Sequence, residues 1–251
     1  MRACVVVMIL ALSTPARAQE FVAPTPAGPA GVSAILEHGL PPVGAEARIE
    51  ALAARWHGLP ELAARSIAYG AGWRELRWAV GLSRFGDGEL GWSAVAVATG
   101  LATEAGGAAL RLCARRDAPG NRGVECGGGA WAPIGRHARL WAAVPQLWTE
   151  GEPPPLARWL EIGAIAEGFG IKAWLSRTAV PSRVRGVRAD HFAGIAADTG
   201  PITTWVSLRD RPPRGSLGVT AARGALRLGV EVESHPVLPE TVRLGVSWGS
   251  R

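Results

Sequence analysis

The sequence predicts an all-β protein: an up-and-down antiparallel transmembrane β-barrel of about fourteen strands, twelve at the least. Three observations lead there. Apolar and polar residues alternate from about residue 47 onward, and a period of two marks a strand with one apolar face. Short and long connections alternate along the chain, which sorts the long loops to one end of an antiparallel meander. Finally, the chain is 48% hydrophobic and 19% charged, with a mean hydropathy of +0.13. No segment after the leader reaches the ~18 consecutive apolar residues of a membrane helix. Such a chain must bury much of itself or show an apolar band to lipid.

The chain opens MRACVVVMILALSTPARAQE. A basic start, a short apolar run and the small-x-small step Ala16-Arg17-Ala18 predict a secretory signal peptide over 1–18, with Gln19 first after cleavage. Sec export into a Gram-negative envelope follows. Loss of Arg2 and Arg17 lowers the formal charge from +6 to +4. Residues 19–46 form a short N-terminal segment, read as a reduced plug or a periplasmic extension, and 47–251 form the barrel.

The strands fall near 47–57, 62–72, 76–86, 90–101, 107–116, 122–131, 138–147, 157–166, 168–177, 186–196, 202–209, 215–223, 225–233 and 241–248. Most match the ~9–11 residues that cross a bilayer at a tilt. Within them Trp78, Val80 and Leu82 share a face. Leu110, Leu112 and Ala114 oppose Arg111, Cys113 and Arg115. Phe169, Ile171, Ala173 and Leu175 oppose Lys172, Trp174 and Ser176. Residues 47–56 (ARIEALAARW) also suit a helix, with Ile49, Leu52, Ala53 and Trp56 together. The following Gly58-Leu59-Pro60 and the next alternating run favour a strand.

Connections such as WREL, TEAGG, EG, DTGP and RGA are short. DAPGNRG, QLWTEGEPPPLA, TAVPSRVRG, DRPPRGS and SHPVLPET are longer. The last hairpin folds symmetrically about Val237, pairing Leu226 with Trp248, Leu228 with Val246, Val230 with Leu244 and Val232 with Val242. Glu231 then opposes Arg243 on the other face.

With the apolar face toward lipid, the lumen receives Arg111, Arg115, Arg139, Glu161, Lys172, Arg209, Arg227, Glu231, Glu233 and Arg243. Charges of both signs can pair across strands there. Of eleven tryptophans, Trp56, Trp73, Trp78, Trp131, Trp148, Trp159 and Trp248 fall near strand ends, where barrels carry interface aromatics. Cys113 and Cys126 flank DAPGNRG, and an oxidising compartment points to a cross-strand disulfide, with two reduced, buried cysteines as the alternative.

Enzyme signatures are missing: GxSxG, HExxH, P-loop and dinucleotide fingerprints are all absent. No catalytic residue, metal ligand or cofactor is expected. His57 and His235 fall on the first and last hairpins, which adjoin on closure, and read as solvated rim histidines. Ser234 beside His235 makes a poor triad, since neighbouring strand residues point to opposite faces. The basic residues, all arginine except Lys172, are scattered and predict no nucleic-acid partner.

The stretch HGLPELAARSIAYGAGWRELRWAVGLSRFGDGELGWSAVAVATG and the closing LRLGVEVESHPVLPETVRLGVSWG resemble the fatty-acid-transporter (FadL-like) superfamily of outer-membrane barrels. They are closest to its smaller PorV/PorQ-type branch. GLPEL, LSRFGD and SHPVL are the most specific parts. The resemblance implies a fourteen-stranded barrel in the cell outer membrane. Two roles go with it: transport of small hydrophobic molecules, or a non-transporting structural or secretion-associated barrel that binds partner proteins. The expected partners are outer-membrane lipids, the barrel-assembly machinery during insertion, and a hydrophobic small molecule or a secretion-complex protein. Transporters of the superfamily open their plug with Asn-Pro-Ala, where this chain reads Thr25-Pro26-Ala27-Gly28.

Overall fold

A computed structural model describes residues 31–42, 46–86, 91–117, 120, 122–151, 160–182, 186–210 and 213–249. The expected signal peptide, Trp159 and most of 19–46 lie outside them. A helix, α1 (Gly31–His38), precedes fourteen strands: β1 (Arg48–Arg55), β2 (Ala63–Trp73), β3 (Leu76–Phe85), β4 (Trp92–Thr103), β5 (Gly106–Asp117), β6 (Arg122–Ile134), β7 (Ala138–Gly151), β8 (Leu160–Gly168), β9 (Ile171–Ser182), β10 (Gly186–Asp198), β11 (Ile202–Asp210), β12 (Pro213–Arg223), β13 (Leu226–Glu233) and β14 (Thr241–Gly249). Each strand pairs antiparallel with its sequence neighbours, and β1 pairs with β14, so the sheet closes into a barrel without a free edge.

Closure explains why 47–56 is extended. β1 bonds to β2 on one side and β14 on the other, a ladder that a helix would forfeit. Its alternation sends Glu50, Leu52 and Ala54 inward and Ile49, Ala51 and Ala53 outward, splitting the apparent helical face across the wall. Two 3-10 turns, Trp56–Gly58 and Pro60–Leu62, follow. The last hairpin has the register that its symmetry predicts, Leu226↔Trp248 through Val232↔Val242 with Glu231↔Arg243. Phe169 sits in a turn rather than in the strand expected at 168–177. It and Gly170 both have positive φ, 53° and 73°, the two-residue hairpin geometry whose twist matches that of the flanking strands.

Burial is inverted relative to a water-soluble protein. Leu82, Leu110, Leu175, Leu208, Leu217 and Leu244 are all exposed on the outer face, whereas Arg77, Arg111, Arg115, Glu125, Arg214 and Arg243 are buried inside. Lys, Arg, Asp and Glu are rarely buried unless paired. An apolar exterior with a charged interior is the arrangement of a barrel whose outer solvent is hydrocarbon.

The short turns and both ends of the sheet, Arg48 and Gly249, lie at one rim, and the longer connections lie at the other.

Candidate functional site: the lumen and its plug

Residues 31–42, ahead of β1, lie in the lumen. Val32, Ile35 and Leu36 of α1 pack on Ala68, Ala79, Ala94, Ala96, Ala98 and Ala109, which point inward from β2–β5. Alanine and glycine on these inward rows leave room for a helix that larger side chains would fill. Gly39, at φ +66°, comes so close to Gly128 that a Cβ on it would stand 2.7 Å from the Gly128 Cα. The glycine run at 127–129 on β6 therefore seats the end of the plug.

Polar contacts fix both ends of α1. The Glu50 carboxylate, inward on β1, accepts from the backbone N–H groups of Val32 (3.1 Å) and Ser33 (2.9 Å) and from the Ser33 hydroxyl. An anion at a helix N-terminus meets unpaired N–H groups and the positive end of the dipole. At the other end His38 Nδ1 lies 3.3 Å from Glu161 on β8. Trp131 Nε1 donates to the Pro41 carbonyl (2.9 Å), and Arg77 Nε donates to that of Pro42 (3.3 Å).

The ten candidate lumen residues all lie on inward rows. Arg115 pairs with Glu125 (3.2 Å), which also accepts from Gln146 Nε2 (3.3 Å). Arg243 bridges Glu231 (3.1 Å) and Glu233 (2.8 Å), and Arg214 pairs with Glu233 (2.8 Å). Arg209 approaches Asp190 at 3.6 Å. Arg139 and Lys172 both approach Glu167, at 4.0 and 3.9 Å. Arg111 is buried, and Arg227 is exposed beside the β12–β13 turn. Sequence reasoning missed the partners Glu50, Glu125, Gln146, Glu167, Asp190 and Arg214. Alternation parity was the available signal for all but Gln146, which turns inward at the register irregularity between β6 and β7.

Two expectations are corrected. Cys113 and Cys126 are not joined by a disulfide. The register sets Cys126 opposite Leu112 and Cys113 opposite Glu125, so one thiol faces the lumen and the other faces out. Trp56 and Trp131 are not interface aromatics, for both are buried inside. The Trp56 ring lies under the Arg243 guanidinium, 4.9 Å from its centroid, and Trp131 holds the plug. Trp73, Trp78 and Trp248 lie outside near the short-turn rim, and Trp148 lies outside near the other.

The lumen also holds Trp141, Trp174 and Trp205, each opposite a glycine on the next strand: Gly163, Gly194 and Gly218. Trp131 repeats the arrangement with Gly107. In the first three pairs a Cβ on the glycine would come within 2.1–2.5 Å of the indole, so each ring lies flat on the wall where a side chain is missing. Trp174 and Trp205 cluster with Ile165, Ala196 and Phe192. The indole N–H groups of Trp141 and Trp174 have no hydrogen-bond partner among the described residues. The interior thus has a plug along β1–β7, an aromatic wall along β7–β11 and ion pairs toward both rims. At the long-loop rim the His57 and His235 rings stand edge to face, with centroids 5.1 Å apart.

No protein-family model and no curated protein matches the sequence. Solved structures do match the fold. The toluene transporter TbuX of Ralstonia pickettii aligns over 93% of this chain and 99% of its own, with a TM-score of 0.59 at 10% identity. The KdgM porin aligns over 80% and 98%, with a TM-score of 0.48 at 6% identity. A mutant of the Rh. blastica porin aligns over 81% and 98%, with a TM-score of 0.46 at 10% identity. The closed sheet and the likeness to TbuX together show the fold, a fourteen-stranded antiparallel β-barrel.

Proposed function

We propose that this barrel resides in the outer membrane and passes small hydrophobic molecules across it. The observation that carries the reading is the apolar cluster Ile165–Trp174–Ala196–Trp205 with Phe192, which lines the lumen beside the plug. A water-filled pore carries polar residues there, whereas flat indoles and aliphatic side chains suit an apolar cargo. A toluene transporter with the same fold is consistent with this class of substrate.

The second reading, a non-transporting barrel that binds partner proteins, draws on the seated plug and the buried ion pairs of Arg214, Glu231, Glu233 and Arg243. Uptake of a radiolabelled monoaromatic hydrocarbon by cells with and without the barrel separates the two. Transport predicts faster uptake that falls several-fold in Trp174→Arg. Equal uptake with and without the barrel, for hydrocarbons of several sizes, would favour the partner-binding role.

A further inference from the structure

A row of arginines crosses the outer face just inside the long-loop rim. Arg65 on β2 stands opposite Arg84 on β3, Arg84 opposite Ser93 on β4, Ser93 opposite Arg116 on β5, and Arg116 opposite Arg122 on β6. All four arginines are exposed and point outward. The next outward position toward the barrel waist on each strand is Ile67, Leu82, Val95, Ala114 or Val124. The guanidinium groups therefore sit where the apolar wall ends, at the depth of lipid headgroups. At ~4.8 Å per strand spacing, the row is roughly 20 Å long.

Like charges directly opposite on neighbouring strands repel, and this row holds two such pairs, Arg65–Arg84 and Arg116–Arg122. Among the described residues, no carboxylate forms an ion pair with any of the four. The far side of the barrel differs. There the corresponding row, Arg177–His191–Asp210 on β9–β11, carries its own acid, and His191 Nδ1 lies 2.8 Å from Asp210. Among the described residues, this flank thus concentrates arginines at one depth without an ion-paired acid. An arginine fork matches a phosphate bidentately.

We infer that Arg65, Arg84, Arg116 and Arg122 form a binding site for the phosphorylated headgroup of an outer-leaflet glycolipid. The site rests on the reading of the chain as an outer-membrane barrel with its long loops outward. Phosphate groups between the facing arginines remove the repulsion that the bare row suffers, and the acyl chains of the same lipid cover Ile67, Leu82 and Val95 beneath.

The test compares the full barrel with R84Q/R116Q, which removes one arginine from each facing pair. Both are reconstituted in phosphatidylcholine nanodiscs, alone, with lipopolysaccharide, with enzymatically dephosphorylated lipopolysaccharide, or with inorganic phosphate. Heat-modifiable migration checks that each has folded. The unmodified barrel should retain the phosphorylated glycolipid at least tenfold more tightly than the dephosphorylated one. The variant should lose about tenfold per arginine removed. Its melting temperature should rise above that of the unmodified barrel in plain phosphatidylcholine, where repulsion is relieved, and fall below it with lipopolysaccharide. Equal retention of the two glycolipids, full retention by the variant, or the same stabilisation from inorganic phosphate overturns the site and leaves the barrel reading intact. Failure of the unmodified barrel to insert into any nanodisc removes the barrel reading and the site together.

Discussion

Arg243 and Glu231 face each other across the final hairpin, 3.1 Å apart inside the barrel. Arg243 is 3% exposed and Glu231 is 9% exposed, and Glu233 and the Trp56 ring complete the shell around the guanidinium. Removing one partner from a buried pair leaves a charge without compensation, at a cost of about 3–5 kcal/mol. Arg243→Ala should therefore lower unfolding stability in urea by that amount, while the double variant E231Q/R243M recovers part of it. Losses that simply add in the double variant would contradict the coupling.

Leu217 is 63% exposed at mid-height on the outer face. On a soluble protein an arginine there would be tolerated within about ±0.5 kcal/mol. In a lipid-facing strand Leu217→Arg should cost about 2–4 kcal/mol. Folding titrations in phospholipid vesicles measure the difference directly, and a neutral substitution would argue against lipid contact.

Glu50 anchors the N-terminus of the plug through Val32 and Ser33. Glu50→Ala should speed amide exchange across Gly31–His38 and weaken the helix by about 1–2 kcal/mol. Strand amides far from the plug, such as those of β11 and β12, should exchange as before. Equal change throughout the barrel would mean that the plug and the wall are one cooperative unit.

His235 belongs to the long-loop rim. Its Nδ1 accepts from the backbone N–H groups of Val237 (3.2 Å) and Leu238 (3.1 Å), which only the unprotonated ring nitrogen can do. Burial, then the nearby His57 and Arg214, push its pKa below the ordinary 6.5, against a smaller pull from Glu233. A depressed folded-state value means that the loop's stability is complete above about pH 6.5. It declines as pH falls below that, because the unfolded loop takes up a proton first, and levels off below the folded-state pKa. Amide protection at Val237 and Leu238, corrected for intrinsic exchange, should drop between pH 7.5 and 5. In His235→Phe it should be low at every pH.

Local pattern made much of the architecture legible. Alternation placed the charged rows inside, and the symmetric sequence about Val237 fixed the register of β13 and β14. Where the outcome hinged on a single residue of register, sequence reasoning failed. Cys113 and Cys126 look opposed across DAPGNRG, but the true partner of Cys126 is Leu112, and a one-residue offset reverses the face. Tryptophan was misjudged because indole suits a membrane interface and a packed interior alike. Trp174 lies between Lys172 and Ser176, and Trp205 lies between Thr203 and Ser207, so parity already assigned both to the lumen. The plug contacts were out of reach, since Gly39 meets Gly128 and His38 meets Glu161 across separations that carry no local signal.

Envelope fractionation tests the central claim most directly. The chain should be recovered in the outer-membrane fraction, resist carbonate extraction, and migrate faster on a gel before boiling than after. Recovery in the soluble periplasm, with identical migration before and after heating, would contradict it.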